Sequence, residues 1–193
     1  LPARQRDLDR RRLAVGRLLE EARGAAHERG KATCAADLAG DPQVDQVTEA
    51  GLRGLGMRLY ERTSVEPAEP IGVDIERDEL AFFPFLYWPV TTSQQEPSAA
   101  AYAKLNDYLR TGGMILFDTR DADLAGFGGS TAEGQTLQLI ASGLDIPPLE
   151  QMPGDHVLTR TFYLLQEFPG RHPRGAIWVE AAPLAEEEAA EGM

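Results

Sequence analysis

Two apolar runs bracket a helix-sized segment, and that spacing constrains the fold more than any other feature. Ala81-Phe-Phe-Pro-Phe-Leu-Tyr87 is a continuous apolar run of the kind a strand shows when both its faces are covered. Pro84 inside it removes a ladder donor, so this strand is expected to be bulged or near an edge. Ser98 then caps a helix through Arg110, with Tyr102, Leu105 and Leu109 facing inward, and Gly112-Gly113 ends it. Met114-Ile-Leu-Phe117 reads as a second buried strand. Strand, helix, glycine stop and strand make a βαβ unit, which closes right-handed with its strands parallel. The fold class is therefore α/β, a layered sheet with flanking helices. Phe82, Phe83, Phe85 and Phe117 are expected to supply core residues, with 114–117 buried.

The flanking chain is less regular. Leu8, Val15, Leu18, Leu19, Ala22 and Ala26 recur at helical spacing and predict a peripheral helical extension over residues 1–30. Residues 31–38 are rich in Ala and make a poor strand. Asp41-Pro42 reads as an N-cap followed by proline at the first helical position, where its missing N–H costs nothing. Val44, Val47, Leu52, Leu55 and Leu59 form the apolar stripe of that helix, and Gly51 and Gly54 are expected to bring its backbone close to a sheet. Residues 63–65 predict a short strand, and 66–79 a turn-prone loop. Its acids Asp74, Glu76, Asp78 and Glu79 lack EF-hand spacing and read as solvated, with Arg77 paired locally. A short helix over 132–141, capped by Ser130 or Thr131, mixed signals over 157–165 and a short strand over 176–179 follow. Residues 31–182 thus form the α/β domain, and 183–193 a disordered acidic tail.

Composition excludes several function classes. The chain carries 19 basic against 31 acidic residues, a net charge of −12, which argues against nucleic acid as a partner. Residues 1–30 hold eight of those cations, all Arg, against five acids, and read as a solvated helix face. The single cysteine, Cys34, forbids an internal disulfide or a Cys-based zinc cluster and reads as a buried or idle thiol. The longest apolar stretch, residues 80–90, is broken by Pro84 and Pro89 and falls well short of the roughly 18 residues a bilayer needs. No apolar core follows the first residues, so no intact secretory signal is expected within this sequence, and the chain is expected to be a fragment of something longer. No motif calls for a cofactor, and neither cofactor nor metal is expected.

In open parallel sheets, ligands bind beyond the carboxyl ends of strands. Asp118, Thr119, Arg120 and Asp121 leave a buried strand at that end. They read equally as a ligand site and as loop anchors, with Asp118 and Thr119 bonding backbone amides and Arg120 pairing with an acid. Asp155-His156, followed by Thr159-Arg160, holds the histidine nearest other polar candidates. His156 serves as a base or a ligand if it folds toward Asp118, and otherwise as a loop histidine bonded to backbone. Asp118, Arg120 and Asp121 are expected to line a groove with His156 or Arg160. Gly126-Phe-Gly128-Gly129-Ser130-Thr131 matches neither a Walker loop nor a dinucleotide fingerprint and reads as a lid. No Gly-x-Ser-x-Gly elbow occurs, which argues against an ordinary α/β-hydrolase.

Three motifs in order carry a family resemblance: Arg77-Asp-Glu-Leu-Ala-Phe-Phe-Pro-Phe-Leu-Tyr-Trp-Pro-Val90, Gly112-Gly-Met-Ile-Leu-Phe-Asp-Thr-Arg-Asp121 and Asp155-His-Val-Leu-Thr-Arg-Thr-Phe-Tyr-Leu-Leu165. Over residues 41–180 the chain resembles the bacterial domain of unknown function 4159. That resemblance implies a C-terminal region of large membrane proteins whose N-terminal part is of the aerotolerance-regulator type. The domain would then be membrane-tethered on the periplasmic side, this segment itself being soluble. The resemblance further implies a distant similarity to class I glutamine amidotransferase-like domains, which have a flavodoxin-like, three-layer parallel sheet. The amidotransferase nucleophile, a Cys in a glycine-flanked elbow, has no match here. Residues 31–38 lack the apolar first strand of such a sheet, and the Glu/Ala run stands where the family continues with another strand, so the sheet is expected to be incomplete at both ends. The expected function is a non-catalytic domain binding a partner protein or a cell-envelope glycan. Its rival is a hydrolase in which Asp118, Asp121 and His156 share acid–base or metal work, without a cysteine nucleophile.

Overall fold

The computed structural model describes residues 34–37, 39–121, 131–160 and 177–181. The helix expected over 1–30, the glycine run 126–130 and the tail 183–193 lie outside them. The described residues up to 144 form one compact unit and those from 145 onward a second.

The first unit is built on four strands: β1 (Cys34–Asp37), β2 (Ile71–Val73), β3 (Phe85–Pro89) and β4 (Met114–Asp118). They pair in the order β2-β1-β3-β4, every pair parallel. Helix α1 (Pro42–Arg62) connects β1 to β2, α2 (Ala99–Arg110) connects β3 to β4, and α3 (Ala132–Ala141) follows β4. The two crossovers step away from the sheet centre in opposite directions, so right-handed closure puts α1 and α2 on opposite faces. This is the strand order and layering of a flavodoxin-like α/β fold.

Residues in register share a face of the sheet. Leu86, Trp88, Ile115 and Phe117 therefore line one face, and Phe85, Tyr87, Met114 and Leu116 the other. The first face is core: Leu86 and Trp88 are buried, and the Trp88 and Phe117 rings lie 5.2 Å apart. The second face is half open, with Met114 52% and Leu116 47% exposed. The expectation that 114–117 is buried thus fails: Met114 and Leu116 are exposed, and Ile115 and Phe117 are half-buried. Among the described residues β4 has a strand on one side alone, and on such an edge the side chains alternate between core and solvent.

Several local expectations shift by a few residues. The aromatic strand starts at Phe85 rather than at Ala81. Pro84 precedes it, so β3 occupies the sheet centre without losing a donor to Pro84, and the proline it does contain, Pro89, is its last residue; Pro84 O accepts the Met114 N–H at 3.3 Å. Phe82 lies in the turn before the strand and is 54% exposed, whereas Phe83 is buried. The Ala-rich segment set aside as a poor strand forms β1, paired on both sides. Strand preference reflects packing, and Ala35 and Ala36 are small enough to be enclosed there. No strand forms over 63–65; β2 forms instead inside the turn-prone stretch.

Asp41 caps α1 by accepting the Gln43 and Val44 N–H groups, and Gly40 makes the turn before it at φ +75°. The buried stripe of α1 is Val44, Thr48 and Leu52, while Val47 and Leu55 are exposed. Gly51 and Gly54 have open space where a Cβ would stand, so they do not serve close packing against the sheet. Ser98 caps α2 and Thr131 caps α3. In α2 the buried positions are Ala101, Leu105 and Tyr108. Tyr108 covers Gly113, where a Cβ would come within 2.3 Å of the ring, so only glycine fits. In the acidic loop Arg77 pairs locally, 3.9 Å from Asp74, whereas Glu76 reaches 22 residues along the chain to accept from the Ser98 N–H and hydroxyl. Those bonds from Ser98 hold the Glu76 carboxyl below its ordinary range.

In the second unit β5 (Leu149–Gln151) pairs antiparallel with β6 (Trp178–Glu180). Met152 and Ala181 N–H groups extend the pairing to Ile177 O and Pro148 O. The strand expected over 176–179 forms over 178–180, and β5, behind Pro147-Pro148, has no counterpart in the sequence pattern. Of residues 157–165 the described part is the single-turn helix α4 (Val157–Arg160).

Candidate functional site

Parallel strands project their following loops from one end, and the crevice opens where the order reverses, here between β1 and β3. Asp37 ends β1 at that point and is 6% exposed. Gln94, on the loop after β3, reaches across to it. Its Nε2 donates to Asp37 Oδ2 at 3.3 Å and to Pro89 O at 3.2 Å, while its Oε1 accepts the Thr91 N–H at 3.1 Å. Buried Thr91 also bonds Ser93 through their hydroxyls at 3.2 Å. Neither Asp37 nor Gln94 emerges from the sequence pattern. With residues 31–38 discounted as a strand, Asp37 had no strand end to occupy; an Asp closing a small-residue run before Gly40-Asp41-Pro42 is the signal that was available.

The loop after β4 is fixed differently. Asp118 Oδ1 accepts the Arg120 N–H at 2.9 Å, and its Oδ2 accepts the Tyr87 hydroxyl from the neighbouring central strand. Burial first, then the Asp118 hydrogen bond and charge, push the Tyr87 phenol well above its ordinary value. Asp121 accepts the hydroxyls of Thr119 and of Thr131, the cap of α3. Burial pushes its carboxyl up, but the two hydroxyls and a backbone N–H outweigh that and hold it below the ordinary range. Arg120 is exposed and adopts φ +58°, the left-handed region that L side chains rarely occupy. It forms no ion pair among the described residues, contrary to the anchoring alternative in which it pairs with an acid. The structure therefore brings Asp118, Thr119, Arg120 and Asp121 together, adds Tyr87 and Thr131, and leaves one charged side chain facing out.

Asp155, His156 and Arg160 belong to the second unit. His156 Nδ1 accepts the Leu158 N–H at 3.2 Å, as a loop histidine bonded to backbone. Thr159 is buried and donates to His156 O at 2.6 Å, which holds the turn together. Asp155 and Arg160 are exposed on either side. Among the described residues, no three His, Cys, Asp or Glu side chains group as a metal site, and no helix is long and apolar enough to cross a membrane.

No curated protein matches the chain. Residues 33–192 match the family model of a domain of unknown function, DUF4159, a span that takes in every strand and helix described above. The three motifs of the resemblance map onto the approach and body of β3, onto β4 with its fixed loop, and onto the His156 turn with α4. With more than half of its length covered, the chain belongs to the DUF4159 family.

Proposed function

We propose that this is a non-catalytic recognition domain of a membrane-anchored cell-envelope protein, binding a partner protein or an envelope glycan through the loop 118–121. A second polar set, Asp155, His156 and Arg160, is offered by the other unit. One observation carries the reading: all four oxygens of Asp118 and Asp121 already accept hydrogen bonds from their own chain. Carboxylates held this way, one of them also pushed below the ordinary range, are poor candidates for a general base or acid. They suit a scaffold that holds Arg120 outward. The tether to the membrane, the periplasmic side and the kinship with amidotransferase-like domains rest on the family resemblance.

The test uses the purified chain on two arms. Co-sedimentation with peptidoglycan sacculi is expected to retain the domain and to fall several-fold for Arg120→Ala at unchanged melting temperature. A panel of chromogenic esters, phosphate esters and amides is expected to show no turnover. Hydrolysis that disappears in Asp121→Asn overturns the proposal in favour of the hydrolase. Retention unaffected by Arg120→Ala removes the loop from the recognition surface. Absence of retention with sacculi excludes the glycan and leaves the partner protein.

A further inference from the structure

The position that an open α/β sheet reserves for ligand is filled here by the chain's own side chain. Gln94 brings a primary carboxamide to the switch point and satisfies it on both edges. Two N–H bonds go to Asp37 Oδ2 and Pro89 O, and the carbonyl oxygen takes the Thr91 N–H. Two acceptors and one donor converging on one planar group is the complement of a primary carboxamide. A secondary amide has one N–H for two acceptors, and a carboxylate has none. We infer that Gln94 is an internal surrogate, and that this subsite takes the primary carboxamide of a ligand once the Gln94 side chain swings out.

Displacement is feasible on the geometry. The three bonds measure 3.1–3.3 Å, longer than the common 2.9–3.0 Å of a well-made N–H···O bond. Gln94 is half-buried, on a loop whose Thr92 and Ser93 are exposed, so the side chain has solvent to move into. The walls it would leave behind are rigid: Asp37 and Pro89 end two paired strands, and Thr91 is buried. The ligand is thus a small molecule or an amidated peptide ending in a primary carboxamide. This inference goes beyond the recognition reading above, and its test involves no residue of 118–121, so either can fail alone.

Gln94→Ala removes the surrogate and leaves its three partners in place. Its melting temperature is expected to fall, and acetamide is expected to restore at least half of the loss, saturably, while leaving the wild-type chain unchanged. N-Methylacetamide, with one N–H, and acetate, with none, are expected to restore nothing. The Thr91 amide resonance should move with acetamide in the variant alone, and Asp37→Asn added to Gln94→Ala should abolish that movement. A propionamide titration against one with a C-terminally amidated pentapeptide then separates the small molecule from the peptide. Gln94→Ser carries the same comparison should the alanine variant fold poorly. Equal responses to acetamide and acetate, or equal responses of wild type and variant, overturn the inference.

Discussion

At the end of β1 the Asp37 carboxylate meets a carboxamide carried on a loop, whereas at the end of β4 Asp118 and Asp121 meet hydroxyls carried on a central strand, a turn and a helix cap. Both regions close the carboxyl end of one sheet, and both neutralise the demand of a partly buried carboxylate. The difference lies in what the donor is attached to. Tyr87 is locked in β3 by its neighbours, and Thr131 is locked as the first-turn cap of α3, so those bonds persist as long as the fold does. Gln94 has three rotatable side-chain torsions and no secondary structure of its own, so its bonds hold without being structurally required. A hydrogen bond donated by scaffold is architecture, and one donated by a loop amide is exchangeable.

That contrast breaks first if the shared floor does. Trp88 is buried between the two regions with its ring against Phe117, and its indole N–H has no hydrogen-bond partner among the described residues. Trp88→Ala therefore removes packing alone and is expected to cost about 3–5 kcal/mol, collapsing both regions together. Leu116→Ala on the open face of β4 should cost about 1 kcal/mol or less. Chemical denaturation of the two variants checks this, and similar losses would mean that the second face is covered after all.

Next in size is the pair of sites themselves. Asp118→Ala leaves the Tyr87 hydroxyl and the Arg120 N–H unsatisfied and is expected to cost about 2 kcal/mol. Gln94→Ala, which gives up three long bonds near solvent, should cost about 1 kcal/mol. A reversed order in their melting temperatures would make Gln94 scaffold and the β4 loop the exchangeable element.

The smallest effects are those of pH. Asp121 is held below the ordinary carboxylate range, so its contribution is full above that range and is lost as pH falls through the folded value. Asp121→Asn should flatten the acid limb of the stability profile. Tyr87 is raised, so its contribution is full below the ordinary phenol value of about 10 and is lost as pH rises through the folded one. Tyr87→Phe should flatten the alkaline limb. Profiles of both variants that overlay the wild type would detach these groups from the stability of the loop.

Much of the fold is legible in the chain because it depends on local signals. The caps Asp41, Ser98 and Thr131, the stop at Gly112-Gly113 and the apolar run into β4 each act within a few residues, and each marks an element that forms. The βαβ spacing then leads to a parallel sheet. Legibility ends where a residue's role comes from a distant neighbour. β1 is short and Ala-rich, and its strand character comes from β2 and β3 on either side. The stripe of α1 is set by which face meets the sheet, so Thr48 is buried and Val47 is not.

For the site, the sequence alone determined that Asp118, Thr119, Arg120 and Asp121 follow a strand at its carboxyl end, because strand direction and loop position are properties of chain order. It also limited their chemistry by residue type, with no nucleophile elbow and no cofactor fingerprint. Only the tertiary structure decided which of these side chains are committed. Tyr87 lies 31 residues from Asp118, and Gln94 lies 57 residues from Asp37. Those hydrogen bonds exist because parallel pairing through crossover segments brings strand ends together. Pairing of that kind depends on packing across the whole sheet and leaves no mark at short range.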